Sequence, residues 1–111
     1  VDVAWIVSDG IVMASAEVAS DRRSRNKGLL GRDHLEGALV VEHCRWIHTF
    51  GMRFPLDVAY LDADGAVVKT IRMKRHRLGA PVWTARSVIE AEAGAFARWG
   101  LHVGLVIELR E

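Results

Sequence analysis

Short apolar runs, broken by polar and glycine-bearing punctuation, recur along the whole chain, and most alternate with a period of two. The clearest is Leu56 to Leu61 (LDVAYL), entered through Gly51 and Pro55. Alternation puts Leu56, Val58 and Tyr60 on one face and Asp57, Ala59 and Leu61 on the other, so both faces are mostly apolar and the strand is expected to be central. Pro55 fits the first residue of a strand, where no ladder N–H is required. Asp57 then sits at the edge of a core, and a buried carboxylate needs a cation, several donors or a proton.

The same reading extends in both directions. Val3 to Val7 and Ile11 to Ala14 flank Ser8, Asp9 and Gly10, a hairpin signal. Ser20 and Asp21 offer a helix N-cap, the cationic Arg22 to Lys27 follows, and Gly28 or Gly31 can end the helix. Its apolar face is thin, so Leu29 and Leu30 are the expected anchors. Gly37 to Glu42 reads as a strand, and HCRWIH after it could stay extended, with Cys44, Trp46 and His48 on one face. Asp62 to Gly65 turns the chain into Val67 to Met73, an antiparallel partner of the central strand. Lys74 to Thr84 reads as a loop, Ser87 to Ala93 as a strand, Gly94 to Gly100 as one or two helical turns with Phe96 and Trp99 inward, and Leu105 to Leu109 as the final strand. Many short strands against one or two short helices favour a mainly β fold, an antiparallel β-sandwich or partly open barrel, over a parallel α/β fold.

At 111 residues the chain fits a single domain, residues 1–111, able to bury a core of its own. Half the residues are hydrophobic and 26% are charged, which describes a soluble globular chain. A net charge of +1 gives no whole-protein case for nucleic acid or membrane binding. No apolar run approaches a membrane span or a signal peptide. The single cysteine, Cys44, excludes an internal disulfide framework and fits a reducing, cytoplasmic compartment. The sequence opens on Val1 rather than Met, which leaves room for a leader upstream.

Three stretches together resemble the bacterial and archaeal domain of unknown function numbered 192, DUF192. They are Arg25 with GLLGR (Gly28 to Arg32), PLDVAYLDADGAVV (Pro55 to Val68) and VIEAEAG (Val88 to Gly94) before a glycine-containing last strand. The resemblance implies a compact β-sandwich and no established activity. The chain looks like an HTFGM branch, because His48 to Met52 stand where many members have a Trp-Met-Lys-Asn-Thr run, and Leu105 follows Gly104 where an aspartate is common.

Four constellations could carry chemistry. Arg25, Arg32, His48, Thr49, Asp57 and Glu90 could converge as a ligand-binding pocket, since arginine forks suit carboxylate or phosphate and Asp57 could orient His48. The plainer alternative is that Arg25 or Arg32 neutralises Asp57 or Glu90 and pins the helix to the sheet. Cys44, His48 and Asp57 have the residue types of a nucleophile, base and orienting carboxylate. On an extended strand, however, Cys44 and His48 stand about 13 Å apart at roughly 3.3 Å per residue. His43, Cys44, His48, His76 and His102 lack the paired spacing of a metal site, so neither a metal nor a cofactor is expected. Arg22 to Lys27 and Ile71 to Arg77 are basic clusters that, side by side and with Trp46 or Trp83, could contact phosphates of nucleic acid; the plainer reading is two solvated edges. The sequence therefore favours a binding or accessory module for a small anionic or polar ligand. The competing readings are a hydrolase or transferase using His48 and Asp57, and a nucleic-acid-binding module using Arg22 to Lys27 and Arg72 to Arg77.

Overall fold

The computed structural model describes residues 2–111. The chain runs β1 (Asp2–Ser8), β2 (Ile11–Ala19), α1 (Arg22–Lys27), β3 (Ala38–Glu42), β4 (Leu56–Leu61), β5 (Val67–Met73), β6 (Ser87–Glu92), α2 (Ala95–Trp99) and β7 (Glu108–Arg110). The strands form one seven-stranded sheet in the order β5-β4-β6-β3-β2-β1-β7. Every pair is antiparallel except β2 with β3, because the passage through α1 returns the chain in the same direction. The Asp9-Gly10 turn has both residues at positive φ, 50° and 74°, the twist that a tight hairpin needs.

The sheet curls until its edges meet at one end. Val67 N donates to Leu105 O (2.8 Å), Gly104 N to Val67 O (2.9 Å) and Ile107 N to Gly65 O (2.8 Å), which makes a partly open barrel of an otherwise open sheet. This bridging divides the expected last strand. Residues 104–107 pair across to the start of β5, and only Glu108–Arg110 joins β1. Likewise β2 runs on to Ala19, beyond the expected Ala14. Small side chains hid its alternation, and they suit the tight inner face: Ala4, Ala16, Ala38, Ala59 and Ala91 line one core together with Ile6, Ile89 and Phe96.

The outer face carries a second core of Leu39, Leu56, Val58, Tyr60 and Val88, covered by Leu29 and Leu35 beside α1 and by Ile47 and Met52. Leu29 and Leu56 are fully buried, and each side chain of that size contributes about 2 kcal/mol of apolar burial. α2 closes one end of the inner face through Ala95 and Phe96.

Candidate functional site

The outer face is roofed incompletely, and a cleft remains between α1 and the segment after β3. α1 starts where the Asp21 carboxylate accepts a hydrogen bond from Ser24 N (2.8 Å), and it ends at Gly28 with φ 49°. None of its residues is buried, so the helix is held by Leu29 just beyond it, as its thin apolar face led us to expect. Its cationic side chains are left free to face the cleft, and Arg22, Arg25 and Lys27 line one wall.

His43 builds the opposite wall. Its φ of 55° turns the chain out of β3, so HCRWIH does not continue as a strand of the sheet. It pairs loosely with the later loop instead, with Cys44 N donating to Arg86 O (3.2 Å) and Gly79 N to Ile47 O (3.0 Å). Cys44, Trp46 and His48 nevertheless all line the cleft. The rings of Trp46, His48 and Phe50 form a ladder, Trp46 to His48 at 5.8 Å and His48 to Phe50 at 5.3 Å, the second pair stacked.

The cleft has a volume of about 390 Å3, in the range of small-molecule sites. Glu90, only 4% exposed, lies at its base. Among the described residues no hydrogen bond reaches the buried Glu90 Oε1 or the buried Arg25 Nε. Burial raises the Glu90 carboxyl to about 7, because removing water disfavours the charged form. Burial also pushes up the Cys44 thiol, against the nearby Arg25 charge, and raises Tyr60 to about 12. The Cys44 thiol donates to Trp46 O (3.2 Å). The cleft presents cations at its rim, an aromatic wall, and at its base an acid that burial makes harder to ionise.

Of the residues expected to converge, Arg25, His48 and Glu90 meet in this cleft, and Arg32, Thr49 and Asp57 do not. Arg32 grips Glu17 on β2 with two bonds, 2.7 and 2.9 Å, and pins the chain after α1 to the sheet. Thr49 is fully buried; its hydroxyl donates to Lys74 O (2.6 Å) and accepts from Arg77 N (2.8 Å). Asp57 points to the inner face. It accepts from Gly94 N (2.9 Å), Phe96 N (3.2 Å) and Arg72 Nε (3.0 Å), and so caps α2, whose own N-cap residue is a glycine. His48 and Asp57 thus lie on opposite faces, which removes both the hydrolase or transferase pair and the Cys44, His48 and Asp57 triad.

Among the described residues no group of three or more side chains is placed to hold a metal. The His76 ring accepts from Gly51 N (3.1 Å), and His102 stays with its own neighbour Val103. The two basic clusters are separated by the turn at residues 48–52: Leu30 approaches Gly51 from one side, and Lys74, His76 and Arg77 bond to it from the other. Arg22, Lys27, His43, Cys44 and Trp46 also line the cleft, although their sequence signals pointed to phosphate contact, metal ligation or a nucleophile. The missing signal was the turn at His43, which a non-glycine residue at positive φ conceals. Among the described residues no helix is long and apolar enough to cross a membrane.

The sequence model of DUF192, described as "Uncharacterized ACR", matches residues 4–109. A crystal structure of a protein of unknown function from Novosphingobium aromaticivorans DSM 12444 superposes with a TM-score of 0.78 at 20% identity, over 96% of this chain and 82% of that one. A crystal structure of a "putative transcription regulator" from Sinorhizobium meliloti 1021 gives a TM-score of 0.76 at 20% identity, over 96% of this chain and 91% of that one. No curated protein matches the chain. At this identity the two structures show that the fold is shared and nothing more.

Proposed function

Because the chain belongs to the DUF192 family, which has no established activity, we propose its function from the outer cleft: it is a binding or accessory module that takes a small anionic or polar ligand there. One observation carries this reading. Arg25 and Glu90 line the same cleft, and among the described residues nothing pairs with the donor Arg25 Nε or the acceptor Glu90 Oε1, both buried from solvent. Leaving such groups unpaired costs about 1–3 kcal/mol each, a penalty that a bound ligand relieves. Arg22 and Lys27 beside them favour negative charge, and nothing in the cleft supplies an activated nucleophile.

Thermal shift and calorimetry against phosphate- and carboxylate-bearing metabolites test the proposal. The unfolding midpoint should rise with ligand concentration, and Arg25→Ala, on an exposed helix, should weaken binding by about tenfold. An unchanged affinity in Arg25→Ala would exclude the cleft as the site.

The nucleic-acid reading draws on the exposed basic residues around Arg72 to Arg77, on Trp83, which is 74% exposed, and on the printed name of the Sinorhizobium protein. Against it, α1 has six residues, a length of about 9 Å, too short to read a groove. Oligonucleotide binding at low salt that falls steeply with added salt, and weakens on Arg72→Ala with Arg75→Ala, would favour it over the cleft.

A further inference from the structure

Taking the anion-binding reading as its premise, we infer that the cleft accepts a hydroxylated acid of the sugar-phosphate or sugar-carboxylate class. Adjacent hydroxyls bridge Glu90 and Arg25, one ring face lies on Trp46, and the anionic group sits among the cations of α1.

The unpartnered atoms define the central group. Glu90 Oε1 and Arg25 Nε differ in hydrogen-bond character, both lack a partner, and the two residues line one cleft. A carboxylate or phosphate placed between them satisfies the arginine, but it sets acceptor against acceptor at an ionised Glu90 and leaves the carbonyl oxygen of a protonated one without a donor. An ammonium satisfies the glutamate but stands against Arg25 and the cationic rim. A hydroxyl both donates and accepts without charge, so two neighbouring hydroxyls satisfy the donor and the acceptor together. A protonated Glu90 is served by the same pair, because its O–H donates and its carbonyl oxygen accepts.

The wall defines what carries the hydroxyls. Trp46 is 42% exposed and lines the cleft. Its indole is braced by His48 at 5.8 Å, which is itself stacked on Phe50 at 5.3 Å. A braced, half-open aromatic face suits a flat ligand surface with apolar C–H groups, and the face of a pyranose or furanose ring has this character. The rim defines the charge. Arg22 and Lys27 are exposed, yet they line the mouth on the α1 side, where a phosphate or carboxylate projecting from the ring remains partly hydrated. The cleft volume of about 390 Å3 accommodates one such ring with its anionic group.

The test is calorimetry of the whole chain with a panel of hexose phosphates, pentose phosphates and uronates, against inorganic phosphate, cyclohexyl phosphate and phenyl phosphate. At least one sugar acid should bind about tenfold or more tightly than each of those three controls. Trp46→Ala and Glu90→Leu should each abolish that advantage and leave the residual affinity of inorganic phosphate. Trp46 is exposed, so its variant keeps the test valid if Glu90→Leu fails to fold. If every sugar acid binds within roughly threefold of cyclohexyl phosphate, or phenyl phosphate binds most tightly, the hydroxylated class is wrong while anion binding stands. If no anion in the panel binds in an Arg25-dependent way, the anion-binding reading falls with it.

Discussion

Asp57 and Glu90 stand on neighbouring strands one register step apart, Asp57 opposite Ala91 and Glu90 opposite Val58, yet they face opposite sides of the sheet. Both are buried, at 5% and 4% exposure. On the inner face Asp57 receives two backbone amides and a guanidinium, and its charge organises α2. On the outer face Glu90 has an oxygen that no donor reaches, and burial raises its carboxyl to about 7. The two environments show what a buried acid does in each case. Where donors converge it serves as a structural cap, and where they do not, burial holds it close to neutrality beside an open cleft.

The largest effect should come from the satisfied acid. Asp57→Ala strands the amides of Gly94 and Phe96 and should destabilise the fold by about 4 kcal/mol, read from the urea midpoint. Most of that loss should come from the amides, because the Arg72 side chain is 60% exposed and can rehydrate. A loss below about 1 kcal/mol would show that the two acids are not energetically distinct.

Next comes the pH dependence of the unsatisfied acid. Between the ordinary carboxyl value of 4.5 and about 7, Glu90 holds its proton in the folded chain and releases it on unfolding. Stability from this group is therefore fully present at the acid end and is lost as pH rises through 7, by up to about 3 kcal/mol for the shift from 4.5 to about 7. Denaturant titrations of the wild type and Glu90→Gln at pH 5 and pH 7.5 should show the wild type losing stability relative to the variant. A constant difference would mean that Glu90 is not held protonated.

A smaller effect is expected at the turn beside the cleft. Thr49→Val removes the hydroxyl that bonds Lys74 O and Arg77 N, and should cost about 2 kcal/mol. Smallest of all, Arg32→Ala breaks an ion pair whose side chains are 33% and 35% exposed. The loss should be about 1 kcal/mol or less, with ligand affinity at the cleft unchanged. A lost affinity would return Arg32 to the site.

Much of the outer-face cleft could be read residue by residue. The basic helix with its Asp21 cap, the glutamate of the β6 stretch, and the one-face spacing of Cys44, Trp46 and His48 each carried a local signal. The grouping could not be read. Arg25 and Glu90 are brought together by the crossover that lays α1 over the outer face, and His43 bends the 43–48 segment back over it. Thr49 looked like a site residue because it is polar and sits in a distinctive turn. Its hydroxyl is occupied by Lys74 and Arg77, residues far along the chain.

The sequence by itself determined the strands, because alternation with period two and glycine-bearing turns act over a few residues, and it determined α1 through a cap and a glycine stop. It also placed Asp57 and Glu90 each on a definite side of its own strand. Tertiary structure alone decided whether those sides are the same one. Strand register has a period of two, so a one-residue slip between β4 and β6 would have turned both carboxylates into one face. The observed register, fixed by two different apolar cores on the two faces of the sheet, gave one acid to the fold and left the other without a donor at its Oε1, beside the cleft.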